Sequence, residues 1–259
     1  MINPMRLPCF ALAAAALLAG CGADSSVSTT STPADLSEVF REMSLPAITG
    51  ATSAAAGYEG PTASLGSGIP SGCTYALTSQ SFVCAPITAS GLTITQSYQL
   101  LNSSGSALSS FEPTSLSAVR MQGTIAGSDT SAGDTFTITG SQDQTLSGLQ
   151  TSKHTLNGTS TMNISGTFGT GTATAEPLTL ETKSTTKDLV IPAHAAANSY
   201  PVSGTITIVE TMPLRGLPAF TTTMVLTFNG TSKVKVTVDG IAVPGCSTID
   251  LASTNPGCS

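Results

Sequence analysis

Tryptophan is absent, and the aromatic residues together make up 5% of the 259-residue chain. A core built on large rings is excluded, and so is a binding surface paved with stacked aromatics. Charge is equally scarce. Asp, Glu, Lys and Arg make up 9% of the residues, against roughly 25% in an ordinary soluble domain. The net charge is −6, which argues against nucleic acid as a partner, because that polyanion needs basic patches. Only two histidines exist, His154 and His194. A hydrolytic triad needs a His beside a nucleophile and an orienting acid, and no G-x-S-x-G surrounds a serine here. No H-E-x-x-H, P-loop or G-x-G-x-x-G stands in a fitting context. The chain is not expected to be an enzyme, and no cofactor or metal is expected.

Thr, Ser, Gly and Ala fill the space left by charge and rings. Disorder combines low hydrophobicity with high charge; a mean hydropathy of +0.23 points instead to a folded body. Abundant Thr suits extended strands with a weakly charged surface. The length allows one large all-β domain or two small ones.

At the N-terminus, Arg6 precedes an apolar run of small residues from Phe10 to Ala19, which leads through Gly20 into Cys21. The run is shorter than the roughly 20 apolar residues of a membrane-spanning helix and has the form of a secretory signal that is removed. The alternative is an ordinary signal peptide with a coincidental cysteine. Leu18-Ala19-Gly20-Cys21 resembles the lipobox of bacterial lipoproteins. That resemblance implies a diacylglyceryl group on the Cys21 sulfur, cleavage before Cys21 and acylation of the new amino group. Two or more acyl chains anchor a protein stably, where one does not. In Gram-negative lipoproteins an Asp directly after the cysteine favours the inner membrane; here Gly22-Ala23 follow and Asp24 comes later. The resemblance thus implies a lipid-anchored protein of the cell envelope, at the outer membrane.

Six cysteines are present. Cys9 leaves with the signal and Cys21 carries lipid. Cys73, Cys84, Cys246 and Cys258 remain, an even number in an exported chain, with three possible connectivities. Proximity favours Cys73–Cys84 and Cys246–Cys258. A zinc site is the rival reading, but C-x-x-C spacing and a nearby His are lacking.

Four regions follow: a signal peptide over 1–20, a lipidated Ser/Thr-rich tether over 21–33, a short helix with an irregular segment over 34–72, and an antiparallel β domain over 73–259. In the third, Leu36, Val39, Phe40 and Met43 share one helical face. Asp35 and Glu38 sit in the first turn, where the helix dipole favours them. With Arg41 its only basic residue, this helix reads as a lid on the sheet rather than a membrane-surface element. Residues 46–72 are rich in Gly, Ala, Ser and Pro.

From Cys73 the hydrophobic period becomes two. Cys73–Leu77 and Gln80–Cys84 predict a hairpin with Cys73 opposite Cys84 and Tyr75 opposite Phe82, so that a disulfide and an aromatic pair fix one register. Leu92, Ile94, Tyr98 and Leu100 alternate next, then Val119, Met121 and Ile125, then Phe136 and Ile138. Asn157-Gly158 and Asn229-Gly230 each stand between alternating runs and predict hairpins, as does Asp239-Gly240. Val202, Ile206 and Ile208 form another strand, and Leu226 with Phe228 another. Residues 192–198 read as a connection and 243–259 as a stapled tail. The total is about ten to twelve strands in a mainly β fold: an antiparallel meander forming a sandwich, barrel or curved sheet, with one short N-terminal helix.

The run Gly91–Tyr98, the central Asn-Gly-Thr strand, Tyr200–Thr207 and a second Asn-Gly-Thr before a terminal cysteine together resemble a family of uncharacterised bacterial lipoproteins. The match covers most of 73–246 and implies no activity and no catalytic residues.

Three functional readings follow. The first is a non-enzymatic envelope lipoprotein, held to its membrane by lipid, whose β body binds an envelope protein or acts as an accessory module. The second is a carrier of a lipid or other apolar ligand against a curved sheet; a helix with a large curved antiparallel sheet is similar to periplasmic lipid-carrier lipoproteins, a likeness of fold only. The third is a hydrolase using carboxylates such as Glu176, Glu181 or Glu210, which requires two of them roughly 5–10 Å apart in a cleft. His154 reads as a solvent-face strand residue and His194 as part of a connection. Asp129 and Asp134 could contribute to a calcium site, which needs six to eight oxygen ligands, or simply end their strands.

Overall fold

A computed structural model describes residues 69, 72–89, 91–131, 134–168, 176–192, 200–212, 219–242 and 247–252. The signal, Cys21, the tether, the helix over 34–44, His194, Cys246 and Cys258 lie outside the described residues.

Thirteen strands form one antiparallel sheet: β1 (Cys73–Ala76), β2 (Ser81–Cys84), β3 (Ile87–Ala89), β4 (Leu92–Leu101), β5 (Ala107–Leu108), β6 (Ala118–Ser131), β7 (Asp134–Ser147), β8 (Lys153–Phe168), β9 (Glu176–Pro192), β10 (Ser203–Met212), β11 (Phe220–Thr227), β12 (Lys233–Val238) and β13 (Thr248–Asp250). The order is β1-β2-β4-β6-β7-β8-β9-β10-β11-β12-β13, with β3 and β5 also paired to β4. From β6 onward every strand lies beside its predecessor in sequence. The sheet ends on β1 and β13, which do not pair with each other, so it is open rather than closed. The expected meander is present. The count exceeds the expected ten to twelve by one, and β3 and β5 are short pieces that flank β4.

The N-terminal hairpin has its predicted register. Cys73 faces Cys84 and Tyr75 faces Phe82. The Cys73–Cys84 disulfide is formed, and the two rings lie 5.1 Å apart. Downstream, β2 and β3 run along the same edge of β4, separated by Ala85-Pro86. Proline offers no amide hydrogen to a ladder, so a break falls there.

Strict alternation sorts the side chains by face. One cross-strand row runs Leu100, Val119, Leu146, Leu156 and Leu189, and all five are buried. Leu146, Leu156 and Leu189 join Ile206, Leu226, Val236 and Ile249 on β10 to β13 in the largest cluster, while Leu100 and Val119 pack with Phe82, Tyr98 and Leu116. At the other end of the same face, Phe136, Ile138 and Ile164 form a second apolar patch, with Ile94 and Ile125 beside it. Burying each such side chain contributes about 1.5–3 kcal/mol. The opposite face is exposed and carries hydroxyls: Thr95 bonds Thr124 at 2.7 Å and Ser141 bonds Thr161 at 2.9 Å.

Two turn expectations hold and one does not. Asn229-Gly230 lies between β11 and β12. Asp239 and Gly240, both with positive φ (50° and 78°), turn the chain after β12. Asn157-Gly158 makes no hairpin; it sits inside β8, which runs unbroken over Lys153–Phe168. The ladder to β9 shifts register there, between Leu156 and Gly158. The Asn157 side chain accepts the Asp188 amide at 2.7 Å. Asp188 has φ 50° and faces the second shift, at Gly204 with φ 108°. Glycine is required at 204 because an L side chain rarely adopts that angle and a Cβ would run into the Asp188 and Leu189 backbone.

Candidate functional site

Along β10, Ile206, Ile208, Glu210 and Met212 occupy alternate positions and therefore the apolar face. Ile206 and Ile208 are buried in the large cluster. Glu210 continues their line, and its register partners are Thr182 on β9 and Thr222 on β11. Thr182 in turn faces Met162 on β8. A single row thus reads Met162, Thr182, Glu210 and Thr222, between Ser184, Ile208 and Met224 on one side and Leu180, Met212 and Phe220 on the other.

This row holds the least compensated polar chemistry of the described residues. Thr222 is 5% exposed, and its Oγ1 has no hydrogen-bond partner. A buried hydroxyl left unpaired costs about 1–3 kcal/mol. Glu210 is half-buried, and burial pushes its carboxyl up to about 7, because a low-dielectric setting disfavours the charged form. Period-two alternation from Ile206 and from Leu226 places both residues on the core face, a signal readable without the structure.

The other candidates are not gathered here. Glu181 faces Thr211 on the opposite side of the sheet from Glu210, so the sheet itself separates these two carboxylates. Glu176 opens β9 opposite Phe168. Asp129 and Asp134 pair with Phe136 and Ser131 in the β6–β7 ladder, inside strands rather than in a loop. His154, expected on the solvent face, instead shares the face of Leu156, opposite Ile191, and is half-buried. Among the described residues no three of His, Cys, Asp and Glu converge as metal ligands. Cys73 and Cys84 are spent in a disulfide, which removes them from the alternative zinc set.

Among the described residues, one ion pair stands on the hydroxyl face. Arg120 Nε donates to Asp143 Oδ1 at 2.7 Å, its other arm reaches Oδ2, and Gln122 donates to the same carboxylate at 3.0 Å. The Arg120 guanidinium holds the Asp143 carboxyl below the usual range. Both side chains are well exposed, so the pair fixes local register and contributes at most about 1 kcal/mol.

Comparison with protein-family models, with curated proteins and with solved structures finds no match for this chain.

Proposed function

We propose that this protein is a lipoprotein of the bacterial envelope, held to the outer membrane by acyl chains on Cys21, with a β-rich body that binds rather than catalyses. The likeness to a lipoprotein family and the lipobox supports the address. The division of the sheet supports the binding role. Glu181 and Glu210 lie on opposite faces, while Glu210, a carboxyl raised by burial, and Thr222, whose Oγ1 has no partner, stand side by side on the apolar face. An unsatisfied hydroxyl beside a half-buried carboxyl in an apolar setting is what a bound group would complete.

A second reading, a carrier of an apolar molecule, draws on a different observation. An open sheet with one apolar face can receive a hydrocarbon without breaking a ladder.

Fractionation tests the anchor. The wild-type chain goes to the membrane and incorporates a labelled fatty acid; Cys21→Ala is released and unlabelled. A membrane-bound Cys21→Ala protein refutes it. In-cell cross-linking followed by pull-down tests the binding role, and recovery of no specific partner counts against it. Lipid extraction and mass spectrometry of the purified protein test the carrier reading, which fails if nothing apolar co-purifies.

A further inference from the structure

We propose that Gln96, Gln142, Ser160 and Ser184 line a trough across the apolar face that takes a neutral glycan chain. This rests on the reading of the β body as a binding domain and names the class of ligand it takes.

The four residues stand in one cross-strand row. Gln96 on β4 faces Gly123 on β6, and Gly123 faces Gln142 on β7. Gln142 faces Ser160 on β8, which faces Ser184 on β9. Four strand spacings of about 4.8 Å make the row roughly 19 Å long. Gly123 has no side chain to interrupt it, and Gln142 leans over that position: a Cβ on Gly123 would lie 3.5 Å from the Gln142 Nε2.

Parity puts the row on the face of Ile138 and Leu146, yet its exposure differs from that of its flanks. Ile94 and Ile125 on one side are buried, and so are Tyr98, Gln144 and Thr186 on the other. The four side chains between them are half-buried. Water therefore reaches a polar line that runs between two dry ones. The Tyr98 hydroxyl donates to Gln96 Oε1 at 3.3 Å. Beyond that bond, none of the four makes a side-chain hydrogen bond to another described residue. Two primary amides and two hydroxyls thus hold out both donors and acceptors.

The chemistry of the face selects the ligand. Every described Lys and Arg (Arg120, Lys153, Lys183, Lys187, Lys233 and Lys235) stands on the hydroxyl face. A phosphate or carboxylate polymer finds no counter-charge in the trough. An extended peptide docks along a strand edge, where its own N–H and C=O groups continue a ladder. This row instead crosses the strands and offers no edge. A neutral glycan brings hydroxyls that donate and accept in series along a chain, matching amides and hydroxyls in series. Met162, half-buried one alternation from Ser160, gives its ring C–H groups an adaptable apolar flank.

The test uses the full chain with its glutamine side-chain amides labelled with heavy nitrogen. Maltohexaose and chitohexaose are the neutral probes, and hexagalacturonate is the anionic comparison. Saturable shifts of the Gln96 and Gln142 amide signals are expected with one or both neutral hexasaccharides, while Gln99 and Gln122, on the opposite face, stay still. The corresponding disaccharide is expected to bind at least about tenfold more weakly, because it spans only part of the row. Gln142→Leu and Ser160→Ala are each expected to weaken hexasaccharide binding about two- to tenfold, the loss of one or two neutral hydrogen bonds. Unchanged Gln99 and Gln122 signals show that these variants are folded. Thr159→Val, on the opposite face, is expected to bind as the wild type does. No shift with either neutral hexasaccharide overturns the trough. So does equal affinity for the disaccharide, tighter binding of hexagalacturonate, or unchanged affinity in both Gln142→Leu and Ser160→Ala. A specific partner in the cross-linking experiment, together with no glycan shift, leaves the binding role standing without this ligand.

Discussion

Replacing Glu210 by Gln changes the pH dependence of stability in a direction that the structure fixes. The carboxyl is raised from the ordinary 4.5 to about 7 by burial. Such a group stays protonated in the folded state at a pH where the unfolded chain has already ionised it. The folded state then binds more protons than the unfolded one, so stability falls as pH rises from about 4.5 through about 7. At about 1.4 kcal/mol per pH unit, the ceiling is near 3 kcal/mol. Glu210 is partly exposed, and solvent screening brings the expected loss to roughly 1–2 kcal/mol. Gln has the same shape and no charge, so it removes the loss and leaves the packing. Urea unfolding of both proteins at pH 4.5 and pH 8 measures this. The two should agree at pH 4.5, and Glu210→Gln should be the more stable at pH 8 by roughly 1–2 kcal/mol. Asp143 acts in the opposite sense, since Arg120 lowers its carboxyl and its contribution fades as pH falls, but it is common to both proteins and cancels. Equal stabilities at pH 8, or an advantage of Gln that persists at pH 4.5, would refute the reasoning.

Three further substitutions probe the frame. Replacing Cys73 and Cys84 together by Ser opens a loop with a sequence separation of 11 and should cost about 3 kcal/mol in the chain-entropy account; a thermal scan with no drop in Tm would contradict it. Leu146→Ala, at a side chain 2% exposed in the largest cluster, should cost about 2–5 kcal/mol by denaturant titration. Gly204→Ala forces a side chain onto φ 108° against the Asp188–Leu189 backbone and should cost about 1–3 kcal/mol or more. Gly105→Ala, at φ 79° but with open space around it, meets the backbone strain without the clash and serves as the milder control in the same titration.

What the sequence reveals about this fold depends on how far apart the deciding residues lie. The first hairpin is legible because Cys73, Tyr75, Phe82 and Cys84 fix its register within a dozen residues. Asn229-Gly230 and Asp239-Gly240 are legible for the same reason. Asn157-Gly158 has the same local signature and a different outcome. The difference comes from Asp188, 31 residues on, whose amide bonds Asn157 where the ladder shifts. A local pattern carries no information about such a partner. Face assignment behaves differently. Strict alternation places Glu210 with Ile206 and Ile208, and Thr222 with Met224, yet it does not tell that the two polar residues face each other across β10 and β11. That requires the register, which neither strand specifies alone. His154 shows the converse: its polarity suggests solvent, but its parity with Leu156 puts it on the apolar face.

The succession of neighbours from β6 to β13 bears on how the chain reaches its fold. Each of these strands finds its partner one connection back, so closing each hairpin costs little entropy, which grows only slowly with loop length. Large β proteins fold slowly when strands distant in sequence must meet first. Here the growing edge is always the strand most recently laid down, and a chain delivered from its N-terminus can extend the sheet in the order in which it emerges. The same ordering makes the sheet tolerant of evolutionary editing by pairs. Excising two consecutive strands, such as β8 with β9, leaves β7 and β10 antiparallel to each other, with the up-and-down sequence of the remainder intact.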